Sequence, residues 1–351
     1  GDVYKRQGLL VFMRVLADFG TPMLIGEGYR TLPVLIYNSF VGEMGRDKAF
    51  AAAISVIIVI FTTIIFLLQQ YISNRKTIEM SALRPIEPRP ARGIKNVLSH
   101  LFAYLCAFLA VLPIFVVLVN SFQNTNGMLF VEGYSFNSYR KAFSSMGNAI
   151  RNTYVFSTAA IILIVIMGVL IAYTSVRRKS KLTKVLDTIT MFPYIIPGSV
   201  MGIALLLAFN KKPFLLSGSA MIIIAAYVIR RLPYTIRSSS AILHQINLNV
   251  EEASQSLGAN RFETFIKVTL PMMFSGVMSG ALMSWVSIIS ELSASIMLYV
   301  GGTKTMTIAI YTEVIRGNYG VASALSTILI SSTIVVLLLV FKITGKREIE
   351  L

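Results

Sequence analysis

Glu251-Glu252-Ala253-Ser254, then Gly258, then Val268-Thr269-Leu270-Pro271 after nine further residues, is the most informative stretch of this chain. It lies in a polar segment, 237–267, between two long apolar runs. Its own apolar residues, Ala253, Leu257 and Phe262, can share one face of a short helix at roughly 3.6-residue spacing. Gly258 can take the left-handed conformation that ends such a helix. Pro271 sits where a new helix can begin. The expectation is a helix–turn–helix handle on a membrane protein, its apolar face either offered to a partner or folded back onto its own bundle.

The membrane follows from composition. The chain has 351 residues, 55% hydrophobic and only 14% charged, with a mean hydropathy of +0.71. A soluble domain carries about 25% charged residues. Several apolar runs reach the roughly 20 residues that a spanning helix needs. At that length only helices satisfy their own backbone groups in lipid. The fold class is therefore all-α, a polytopic membrane helical bundle of about eight spans. The net charge of +16 invites a nucleic-acid partner. The basic residues instead cluster in loops on one side of the spans, as cytoplasmic loops do, so the partner is the bilayer and not nucleic acid. Cys106 is the only cysteine, which excludes an intrachain disulfide; within its apolar run it reads as packing. His100 and His244 are far apart, and no spacing resembles a metal site.

Taken in order, residues 1–7 (GDVYKRQ) are polar and abrupt. A first span is expected at 9–25, a polar Gly-containing segment at 26–48 and a second span at 49–72. Residues 73–96 carry Arg75, Lys76, Arg84, Arg89, Arg92 and Lys95 among Pro85, Pro88 and Pro90, and read as an extended cytoplasmic linker. Further spans are expected at 97–120, 149–176, 185–209, 219–230, 272–300 and 319–343. The segments 121–148 and 301–318 read as outer loops. Arg177, Arg178, Lys179, Lys181 and Lys184 form one cytoplasmic knot, and Lys342, Lys346 and Arg347 another, so both termini fall in the cytoplasm. Pro193 and Pro197 each remove a hydrogen bond from the fifth span. Such a break is tolerated in lipid only where protein or a water-filled cavity covers the freed carbonyls.

The first seventy residues repeat the last seventy in diluted form. Leu9 to Asp18 aligns without gaps on Leu282 to Glu291, placing Asp18 opposite Glu291. After a one-residue shift Gly28-Tyr29-Arg30-Thr31 falls on Gly302-Thr303-Lys304-Thr305, and Val34-Leu35-Ile36-Tyr37 on Ile308-Ala309-Ile310-Tyr311. Residues 8–72 thus read as the last two spans of one half, and 97–351 as a complete six-span second half. Residues 1–7 do not match their repeat partner and read as a non-native scar, with the front of the first half missing.

No phosphate-cradling Gly-x-x-x-x-Gly-Lys-Ser/Thr occurs, and no Ser/His/Asp set assembles in the spans. The chain reads as a non-enzyme without cofactor. Ionisable residues inside a membrane are functional candidates by default. Arg14 and Asp18, four apart, can pair on one helix face. Asp18 and Glu291 either face a central cavity and bias it toward cations, or hydrogen-bond to serines and neighbouring helices.

The spacing Glu252-Ala253-Ser254, Gly258, Val268-x-Leu270-Pro271 resembles the EAA loop of ABC importer permeases. Ser254 stands where that family has a second Ala, and Val268 where it has Ile. The resemblance implies a type I importer permease fold in a bacterial plasma membrane. It also implies that Glu251, Glu252, Ala253, Ser254, Gly258, Leu270 and Pro271 belong to a coupling helix docked on an ATPase dimer. Ala17-Asp18-Phe19-Gly20-Thr21-Pro22, Pro193-Tyr194-Ile195-Ile196-Pro197-Gly198 and Glu291-Leu292-Ser293-Ala294-Ser295 are similar to the fused two-half permeases for ferric iron. Relatives for phosphonates, polyamines, thiamine or sulfate share much of this. The resemblance further implies a binding protein outside, alternating access, and a translocation path at the breaks holding Asp18, Pro193, Pro197 and Glu291. A secondary transporter or a membrane receptor would not need the handle.

Overall fold

The computed structural model describes residues 8, 11–42, 47–75, 93–178 and 180–344. Residues 1–7, most of the proline-rich linker and the basic tail, on which expectations were placed, lie outside these. A short helix α1 at residues 11–16 breaks at Ala17. Then come α2 (Gly20–Ile25), α3 (Leu32–Val41), α4 (Lys48–Arg75) and α5 (Ile94–Phe122). A hairpin of β1 (Gln123–Asn126) and β2 (Leu129–Tyr134) pairs Asn126 with Leu129. It leads into α6 (Asn137–Arg177), α7 (Lys181–Ile195), α8 (Gly198–Ala208) and α9 (Ala220–Gln245). The handle, α10 (Leu248–Ser256) and α11 (Arg261–Thr264), runs through a π turn (Phe265–Thr269) into α12 (Leu270–Ile289). The chain closes with α13 (Ser295–Leu298), α14 (Met306–Ile315) and α15 (Tyr319–Thr344).

Five of these helices are long and apolar enough to cross a membrane, counting α11 to α12 as one, and α7 with α8 make a sixth, bent by 119°. The central packing is α6 against α9 against α12, around Phe156, Ile164, Ile223, Ile236 and Ile288. Without a hydrophobic drive between helices in lipid, close backbone approach supplies the packing energy. A Cβ at Gly280 would lie 2.7 Å from Thr235 Cα, so only glycine fits there. Ser238 donates to the carbonyl of Gly276 at 2.6 Å and Ser284 to that of Arg231 at 3.1 Å, tying α9 to α12. By contrast α5 buries almost none of its length, and Cys106 is exposed on it rather than packed.

Several expected boundaries move. The span expected at 9–25 is interrupted at Ala17 to Phe19, which takes Asp18 off the face of Arg14; the two do not pair, and Arg14 Nη2 donates instead to Tyr194 Oη at 3.3 Å. The expected polar loops hold structure: α3 in 26–48, the hairpin and the start of α6 in 121–148, and α14 in 301–318. The span expected to exit at Arg230 continues to Gln245. The two arginines mimicked a membrane edge, but a carboxylate from the end of α12 receives them inside. The span expected at 272–300 ends at Ile289. Pro271 stands in the first turn of α12, where a helix can begin, and that helix runs on from α11 through the π turn.

The internal repeat has a counterpart in the elements. A break after α1, then α2, the ten-residue α3 and long α4, corresponds in order to a break after α12, then α13, the ten-residue α14 and long α15. Thr31 and Thr305 hold the extended N-cap position of the two ten-residue helices.

Candidate functional site

The expected site residues fall in two regions: the handle and a cavity among the helix breaks. In the handle, the Asn247 side chain accepts from the N–H of Asn249 at 3.1 Å, starting α10. Leu257 caps α10, and Gly258 follows with φ +96°, a conformation that L side chains strain to adopt. Asn260 and Glu263 then form a reciprocal capping box, at 3.1 and 2.9 Å, that starts α11. The Ser254 and Thr264 hydroxyls, 3.2 Å apart, tie the two arms together.

The handle is fastened to the bundle through Glu251. Its Oε1 accepts from Arg177 Nε at 2.8 Å and its Oε2 from Tyr173 Oη at 3.3 Å. Arg177 also donates to the carbonyl of Ile246 at 3.0 Å. The Glu251 side chain is 5% exposed, so this is a nearly desolvated, charge-assisted contact. Tyr173 packs on Phe265 with ring centroids 4.8 Å apart. Outward, Leu257 is 90% and Phe262 72% exposed, beside exposed Glu252 and Ala253. The expected coupling residues therefore divide. Glu251 and Leu270 point inward, Leu270 packing with Val169, Leu243 and Met273. Ser254 joins the arms, Gly258 makes the turn, and Glu252 and Ala253 face out. Sequence reasoning gave Tyr173 and Arg177 no part in the handle; the latter is the first residue of the basic knot.

The cavity holds about 540 Å³ and is bounded by the break after α1, the α7–α8 bend, the middle of α9 and the break after α12. Asp18 and Glu291 both line it, as does Arg14. Pro197 is the N-cap of α8, at the bend itself, while Pro193 lies within α7; the cavity wall is formed by Tyr194, Ile195 and Ile196 between them. Glu291 is not a free carboxylate. Its Oε2 is shared by the guanidinium groups of Arg230 and Arg231, and its Oε1 accepts from the N–H of Ala294 at 3.1 Å. Thr307 donates to the Glu291 carbonyl at 2.9 Å, fixing the broken backbone. Arg231 stands 6.0 Å over the Tyr234 ring. A Cβ at Gly198 would come within 2.9 Å of Arg230 Nη1, so α8 must begin with glycine for the triad to fit. Arg230 and Arg231 were legible as the adjacent pair that a buried Glu291 needs, but were spent on marking a membrane edge.

A membrane bundle whose helices break around a polar cavity, with a handle built on one end, is the architecture of a transport permease. Residues 160–347, more than half the chain, match the binding-protein-dependent transport system inner membrane component, and the chain belongs to that family of multi-pass inner-membrane proteins. It is 29% identical to the ferric transport system permease protein FbpB of Actinobacillus pleuropneumoniae, over 97% of this chain and 50% of that protein. It is 27% identical to the putative 2-aminoethylphosphonate transport system permease protein PhnV of Salmonella typhimurium, over 65% of this chain and 86% of that protein. Among solved structures, a chain of a bacterial ABC transporter for import of the acidic polysaccharide alginate superposes with a TM-score of 0.59. That match has 17% identity and covers 73% of this chain and 99% of the other, so the fold is that of an ABC importer permease. The chain spans about half the length of FbpB.

Proposed function

We propose that this chain is a permease subunit of an ATP-driven importer, and that its cargo is a ferric species. An ATPase dimer docks on the handle from the cytoplasm, where both termini lie, and a binding protein delivers cargo from outside. ATP hydrolysis belongs to the ATPase; the chain itself is not an enzyme. Residues 8–72 supply the last two spans of a first permease half, and 97–351 a second half of six spans. ATP closes the ATPase dimer, the handle moves with it, and the bundle alternates between outward and inward openings around the cavity.

The observation that carries this function is the handle. It is fastened by Glu251 to Arg177 and Tyr173, yet it holds Leu257 and Phe262 out into solvent. Apolar side chains so exposed on a well-capped element mark a docking surface. The likeness to a ferric permease along nearly the whole chain favours iron; a phosphonate cargo is the alternative, favoured by the likeness to PhnV. A photocrosslinking residue at Phe262 should trap the ATPase subunit in native membranes. Crosslinks only within the chain itself would remove the docking function.

A further inference from the structure

We infer that the cavity selects an anion, so that cargo crosses the membrane as a net-negative species: either an oxyanion or a ferric ion enclosed by anionic ligands. The inference deepens the permease function proposed above and rests on it.

The charged groups facing the cavity come from every element around it: Arg14 on α1, Asp18 at the first break, Arg230 and Arg231 on α9, and Glu291 after α12. Three cations against two carboxylates leave one positive charge, and the remaining lining is uncharged. The two carboxylates are not equivalent. Glu291 is consumed, since Arg230 and Arg231 share one oxygen and the Ala294 N–H takes the other. Both of its oxygens are thus engaged by donors of the chain itself. The arginines are not sealed off, because both line the cavity and their side chains stay 12% and 18% exposed. Guanidinium forks present several donors in a geometry suited to carboxylate and phosphate oxygens.

An unbalanced positive charge inside the bundle is costly. An anion in the cavity offsets it. A bare trivalent cation would meet a wall that repels it.

The test is uptake by the whole transporter, assembled with its ATPase and binding protein in proteoliposomes. Ferric iron is supplied with radiolabelled citrate or phosphate, and each labelled anion is also supplied alone. We expect labelled anion to enter in fixed ratio to iron, or an oxyanion to enter without iron; the two arms separate the two sources of negative charge. Arg14→Gln should lower uptake on the order of tenfold, the loss of about one charge-assisted contact. Arg14→Lys should recover part of it, and Asp18→Asn should keep or raise it. Arg14 and Asp18 are chosen because neither belongs to the buried Glu291 triad. Iron entering without any labelled anion, or wild-type uptake by Arg14→Gln together with loss in Asp18→Asn, overturns the inference and leaves the permease function standing. Absence of ATP-dependent uptake of any of these cargoes overturns both.

Discussion

Glu291 accepts from two guanidinium groups and a backbone N–H inside the bundle, which makes it the most consequential single side chain. Removing one partner of a buried ion pair typically costs about 3–5 kcal/mol, because the remaining charge is left uncompensated. Glu291→Leu strands two adjacent arginines. It should lower the amount of folded protein in the membrane and its melting temperature in detergent, whereas Glu291→Gln, which keeps an acceptor for one of them, should fold better. Equal melting of wild type and Glu291→Leu would show that the triad is not structural. Glu251 poses the same question at the handle. Glu251→Ala breaks two hydrogen bonds to a carboxylate, the shorter of them worth about 1.5–3 kcal/mol. The membrane level of the protein should hold while ATP-driven transport falls at least tenfold, read as uptake per ATP hydrolysed.

At the scale of the element, the handle depends on its turn. Gly258 sits at φ +96° with open space where a Cβ would go, so a larger residue there meets no clash and the whole cost is backbone strain. A β-branched residue in that region costs on the order of 1–2 kcal/mol, comparable to the contacts that orient α10 against α11. Gly258→Val should therefore swing Leu257 and Phe262 out of register and uncouple ATP hydrolysis from transport, with normal expression. Normal coupling in that variant would mean that the turn tolerates distortion. The π turn ahead of Pro271 has a related purpose. It carries one helix from the handle into the bundle without a stop, so α11 and α12 form a single element that ends at the Glu291 break.

At the scale of the molecule, the handle and the β-hairpin belong at opposite faces of the membrane. The hairpin joins one end of α5 and α6, and the handle is fastened to the other end of α6 through Arg177. In a Cys106→Ser background, Tyr134→Cys should react with a membrane-impermeant maleimide applied from outside. Leu257→Cys should react only after the membrane is opened. Both side chains are well exposed, so failure to label would report on topology rather than burial. The reverse pattern would invert the bundle.

Apolar run length by itself determined that this is a helical membrane protein, because lipid leaves an unpaired backbone no other solution. The handle was legible too, since a glycine turn and apolar residues at helical spacing are local signals. So was the repeat, from Asp18 and Glu291 through to Tyr37 and Tyr311. What only the tertiary structure decided is which charges meet. Arg230 and Arg231 look like the end of a span until Glu291, sixty residues on, is seen to receive them. Glu251 looks like part of an exposed loop until Arg177 and Tyr173 reach it from α6. In both cases hydropathy counts a charge as a cost to be kept at the surface, and a partner distant in the chain removes that cost by compensating the charge in place.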